Sequence, residues 1–269
     1  MFALLALLAN VALTVVSAQD LVSNNTVHFL NKRLSSGCGL SGPVSCHANP
    51  IPSNLCCYES PGGLLLQTQF WDTNPSTGPS NSWTIHGLWP DHCDGSFSTF
   101  CDSSREYTNI AGLLTAQGAS STLAFMQDFW VDINGQNEQF WEHEWAAHGT
   151  CYSTLKRSCL PANSPTGAEA VAFFQQVVSL FQSLPTYNWL ASQGITPSTT
   201  RTFTLSQFTS ALKTASGFTP ALGCSGTTIN QISWYFDLQG SLLDGQFIPI
   251  DSPIASSCAS SGLKYPPKS

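Results

Sequence analysis

Charge is what this sequence has least of. Asp, Glu, Lys and Arg together make up 9% of the 269 residues, and the balance is acidic, at −7. A protein that grips nucleic acid by its phosphates usually carries a basic face. No Lys/Arg cluster occurs here, so sequence-independent binding to duplexes is disfavoured. After the first residues no apolar run is long enough to cross a bilayer. Cys-x-x-Cys pairs of the metal-binding kind are absent, as are internal repeats and interdomain linkers.

What is present begins with an apolar run, Ala3 to Val16, closed by Ser17-Ala18. Small residues at that point mark a secretory cleavage site, so residues 1–18 are expected to be a signal peptide. The product is then secreted and extracellular, with a vacuolar or lysosome-like compartment as the alternative, and has 269 − 18 = 251 residues. Residues 19–36 are polar and aperiodic, a loosely held tail with an N-glycosylation acceptor at Asn24; the Asn74 triplet is excluded by its proline. Residues 37–269 are expected to form one domain. Ten cysteines, an even number in an exported chain, argue for disulfides. Adjacent Cys56 and Cys57 point different ways and tie separate parts of the fold to one segment.

Strands are expected over Gly63 to Trp71 and Ser82 to Trp89, with Pro90-Asp91 ending the second. Alternation places Trp83 and Ile85 on one face, and Thr84, His86 and Leu88 on the other. Ser121 to Ile133 has a helical pattern. Thr166 and Glu169 read as a capping box opening a long helix that Pro185 stops, and Thr204 with Gln207 reads as a second box opening a helix that ends at Gly217. Ile229 to Leu238 and Gln246 to Ile250 read as strands around Asp244-Gly245. The whole is an α+β chain, with a central antiparallel sheet, segregated helices and disulfide staples.

Chemistry concentrates in Phe140 to Cys151, F-W-E-H-E-W-A-A-H-G-T-C. On a helix Trp141, Glu144, Trp145 and His148 share one face, which sets a carboxylate and an imidazole in an aromatic stripe. Buried charge must be paired, and Glu144 and His148, one turn apart, can pair with each other, either to hold a core together or to catalyse. A zinc helix needs its histidines four apart. His143 and His148 are five apart, a rotation of about 140° on a helix, so neither a metal nor any other cofactor is expected.

Two histidine stretches therefore stand in order, W-T-I-H-G-L-W-P over 83–90 and H-E-W-A-A-H-G-T-C over 143–151. Together with the cysteines and the closing S-W-Y-F-D-L and D-G-Q-F stretches, they resemble the ribonuclease T2 family of exported acid ribonucleases. The resemblance runs from about Cys38 to Cys258. It implies an endoribonuclease acting on single-stranded RNA by transesterification, through a 2′,3′-cyclic phosphate to 3′-phosphate ends, with weak base preference and no cleavage of DNA. His148 would be the general base, His86 the general acid and Glu144 the third catalytic residue, with His143 at the phosphate. Trp89, Asp91 and Phe97 would hold the base 5′ of the cut, and Phe140 and Gln69 the base after it. The cysteines would pair 38 with 57, 46 with 93, 56 with 159, 101 with 151, and 224 with 258. Monomer is the default state.

One departure matters. Where the family often has Lys before its second catalytic histidine, this chain has Ala147. Losing one positioned donor or cation costs about 10² to 10³ in rate. The alternative reading is thus a weakened homologue that binds RNA or a cell-surface partner. His143, Lys156 and Arg157 are the candidates to replace the missing charge.

Overall fold

The structure, a computed structural model, describes residues 37–268. The signal peptide, the tail and Asn24 lie outside the described residues. Among those described, seven strands form one sheet and six α-helices pack around it. No described helix is long and apolar enough to cross a membrane.

Strands β1 (Leu64–Phe70), β2 (Thr84–Asp91), β3 (Thr202–Phe203), β4 (Ala221–Ser225), β5 (Thr228–Gln239), β6 (Gln246–Ile250) and β7 (Leu263–Lys264) order as β2-β1-β5-β7-β3, with β4 and β6 also on β5. All pairings are antiparallel except β5 with β7, which meet in parallel. β2 is an edge strand, which is why it accommodates Pro90 and runs on to Asp91 instead of ending at Trp89.

The helices are α1 (Ile110–Ala116), α2 (Ser120–Phe129), α3 (Asn137–Ala147), α4 (Ala168–Gln182), α5 (Thr186–Ser192) and α6 (Leu205–Ser216). α6 opens on the Thr204–Gln207 capping box and ends at left-handed Gly217. The box expected at Thr166 is not formed. Gly167 takes the cap position in the left-handed region, and Glu169, fully buried, accepts from the Tyr107 hydroxyl at 2.7 Å. Tertiary contact has outcompeted the local cap. Pro185 does not simply stop a helix but opens α5.

The core joins Leu65, Ile85 and Leu88 of the sheet to Trp141 and Trp145 of α3 and Phe173, Phe174 and Val177 of α4. Glu138, in the first turn of α3, accepts from the N–H groups of Ile110 and Ala111, so one carboxylate caps α1 and ties it to the helix beside β2. Five disulfides join Cys38 to Cys57, Cys46 to Cys93, Cys56 to Cys159, Cys101 to Cys151 and Cys224 to Cys258.

Candidate active site

The site lies where the edge strand β2 meets the carboxyl end of α3. The ladder pairs Thr68 with Gly87 and Gln69 with Ile85, so His86 is an extra residue, a bulge. Bulges re-aim side chains, and this one breaks the expected alternation. Leu88 joins Ile85 in the core, both fully buried, while His86 turns to the side of Trp89 and Phe70. Its ring centroid is 4.7 Å from Trp89, edge-on, and 4.0 Å from Phe70.

α3 ends at Ala147. His148 follows in a non-ideal conformation (φ −118°, ψ −49°) that leads into a short 3₁₀ turn, Gly149–Cys151. Its ring stacks on the Trp89 indole at 4.9 Å and 26°. The two histidines therefore contact the same indole, one at its edge and the other on its face. Trp89, expected to stack on a base, stands between them and is partly exposed.

Beneath both lies Glu144, with no exposed surface. Its Oε2 accepts from Trp89 Nε1 at 2.9 Å, and its Oε1 stands 3.4 Å from His86 Nε2. That second contact is close enough for an ion pair once His86 carries its proton, but Oε1 and His86 Nδ1 both lack a formed hydrogen bond. The partners of Glu144 are thus Trp89 and His86, not the hydrogen bond to His148 that helical spacing suggested. Gly87 makes the approach possible, because a Cβ there would collide with the Glu144 carboxylate and the Trp89 ring nitrogen.

Burial pushes His148 down to about 4. The Glu144 charge works against this shift, and His143 and His86 add to it. Asp91, half-buried at the end of β2, is pushed up by burial to about 6. His143 is exposed, 6.1 Å from the His148 ring. His143, Glu144 and His148 bring ligand atoms within 4.8 Å of one another. The spacing argument against a shared ion fails here, since His148 lies beyond the helix and is not held to its rotation.

Phe140 joins the cluster, 5.7 Å from the His86 ring. Gln69 does not. It alternates with Phe70, is fully buried, and donates to the Leu184 carbonyl at 3.3 Å. Phe97 is 68% exposed on the loop between Cys93 and Cys101. The ring from that loop that reaches the histidines is Phe100, 5.9 Å from His143, with its N–H donating to the Ala147 carbonyl at 3.0 Å. Nothing in the motifs marks Phe100; its one signal is its place next to Cys101, whose bond to Cys151 draws the loop to the end of α3. Phe70 was equally silent, a strand residue that the bulge brings against His86. Ala147 itself is 1% exposed.

The chain and its fold have known counterparts. The model of the ribonuclease T2 family matches residues 62–245. Ribonuclease Le2 of Lentinula edodes is 61% identical over 87% of this chain and 98% of its own, and Ribonuclease Trv of Hypocrea rufa is 51% identical over 87% and 99%. Among solved structures, Actibind, described as a T2 ribonuclease, superposes with a TM-score of 0.82 at 46% identity, covering 86% of this chain and 98% of that one. Human RNase T2 does so with 0.56 at 26%, covering 76% and 99%. The chain belongs to the ribonuclease T2 family.

Proposed function

We propose that this ribonuclease T2-type endoribonuclease is a secreted enzyme that cuts single-stranded RNA without a metal, His148 acting as base and His86 as acid. The 2′-hydroxyl gives its proton to His148 while its oxygen attacks phosphorus. The bond from phosphorus to the 5′-oxygen breaks, and His86 protonates the departing oxygen. The product is a 2′,3′-cyclic phosphate, which water opens to a 3′-phosphate with the two roles reversed. DNA, lacking the 2′-hydroxyl, is not cut. Glu144 supports the imidazoles and the crowded phosphate, and His143 contacts it. Trp89, Asp91 and Phe97 bind the base before the cut, and Phe140 the base after it.

The observation that carries this reading is His148 itself. An imidazole held down to about 4 is neutral at mildly acidic pH and ready to take a proton, and it lies across one indole from a second imidazole that faces a buried carboxylate. The test is cleavage of single-stranded RNA at mildly acidic pH with a chelator present. Cyclic ends are expected, and His86→Ala and His148→Ala should each lower kcat by about 10² to 10⁴. Chelator-sensitive cleavage, or cleavage that survives either substitution, overturns the mechanism. No cleavage by the disulfide-bonded wild type would turn attention to what the protein binds.

A further inference from the structure

Next to the two histidine segments lies a cavity of about 220 Å³ that the reaction above does not use. Its walls come from the residues just past the two catalytic segments: Pro90 and His92 follow Trp89, and Thr150 and Cys151 follow His148. Three residues of chain span at most about 10 Å, so the cavity adjoins the place where RNA would be held.

Its chemistry is that of an anion site. In a chain with nine Lys and Arg, two line this one cavity, Lys156 and Arg105. Lys156 is exposed and makes no ion pair among the described residues. Arg105 is buried, donating to the carbonyls of Thr150 and Leu155 and pairing with Asp102 at 2.7 Å. That pair cancels the one carboxylate in the wall, since the other Asp102 oxygen accepts from Ser104. The positive charge of Lys156 is what remains. The hydroxyls of Ser60 and Ser98 and the imidazole of His92 add polar groups, with the His92 ring held between Ser96 and Ser98 at 3.0 and 3.1 Å. The remaining carboxylates nearby do not oppose an anion here. Asp91 projects from the opposite face of β2 to Pro90, Asp94 is fully exposed and bonded to Ser96, and Glu59 is enclosed by Ser153 and Thr154.

We infer that this cavity binds the phosphodiester immediately upstream of the one that is cut, on the 5′ side, with Lys156 as its principal cation. The side follows from the shared loop: His92 and Ser98 line the cavity, and Phe97, assigned to the base before the cut, directly precedes Ser98. The inference rests on that base assignment. It also gives Lys156 a task apart from the reacting phosphate, so Lys156 does not stand in for the lysine absent at position 147.

The test uses ligands that cannot be cleaved: a 2′-deoxydinucleotide with and without a 5′-phosphate, titrated calorimetrically into the intact protein. The 5′-phosphate should tighten binding to wild type about three- to tenfold, the range of an exposed charge-assisted contact. Lys156→Ala should abolish that gain, Lys156→Glu should reverse it, and Lys156→Arg should keep it, with affinity for the unphosphorylated ligand unchanged in all three. Equal affinity of wild type for the two ligands, no binding of either, or a gain that survives Lys156→Ala overturns the inference. Because binding is read without turnover, failure of the two-histidine mechanism would leave this result standing.

Discussion

Two of the fully buried carboxylates among the described residues, Glu59 and Glu144, are treated in opposite ways. Glu59 accepts four hydrogen bonds: Oε1 from the N–H and hydroxyl of Ser153, and Oε2 from those of Thr154, at 2.7 to 3.2 Å. Glu144 accepts one, from Trp89, and its other oxygen waits 3.4 Å from His86. A buried carboxyl group surrounded by donors locks structure, and here it ties the segment after Cys57 to the turn after α3. A buried charge left short of donors is costly. Burial alone therefore does not mark a functional carboxylate, nor does incomplete satisfaction, since buried Glu169 also leaves one oxygen unpaired; the free oxygen of Glu144 differs in facing an imidazole.

The sharpest way to break this comparison is to neutralise each carboxylate in turn. Glu144→Gln keeps an acceptor for Trp89 and should leave the fold intact, but lower kcat about 10²-fold by removing preorganised charge. It also removes the charge that raises His148, so the acidic limb of the pH–rate profile should move to lower pH. An unchanged rate with lost stability would make Glu144 a second Glu59.

Glu59→Gln should leave kcat within about twofold and act on stability instead. Burial raises Glu59 to about 7 from 4.5, so the folded protein holds this proton more tightly than the unfolded chain. Its contribution is full below about 4.5 and is lost as pH rises through about 7, a change of about 3 kcal/mol. Asp91, raised to about 6, acts in the same direction. His148, lowered to about 4, acts in the other, its contribution being lost as pH falls from 6.5 toward 4. The difference between wild type and variant isolates Glu59: denaturant titrations across pH 4.5 to 7 should show wild type declining relative to Glu59→Gln. Parallel curves would refute the assignment.

A third substitution sharpens the comparison by adding charge. Ala147→Lys should raise kcat about 10²-fold if the site is short of one cation. It should also cost about 1–3 kcal/mol of stability, because the side chain enters a position 1% exposed. No gain in rate would mean that His143 already fills the role. The smallest effect is expected at Phe100, where truncation to Ala should raise KM for RNA about fivefold through lost stacking and leave kcat and Tm in place. An unchanged KM leaves stacking to Phe97.

Most of the fold was legible because its signals are local. The strand at 64–70, the Thr204 box and the hairpin around Asp244-Gly245 depend on neighbours in sequence. The box at Thr166 misled because Tyr107, far away in the chain, binds Glu169 more favourably than the local backbone does. Alternation failed at His86 because a bulge is a property of a strand pair, invisible in either strand alone. Gln69 looked available for a base, but pairing with Ile85 turned it inward.

By itself, then, the sequence determined the chemistry: two imidazoles and a carboxylate set in two motifs, an acidic chain with little charge to spare, and cysteines enough to hold loops in place. Tertiary structure decided everything that depends on distance. It placed both histidines on one indole, left Glu144 one donor short, brought Phe100 to His143 and gathered Lys156 with Arg105 into a separate cavity. Residue type sets what a group can do, whereas burial and partners, which come from segments far apart in the chain, set whether it does so.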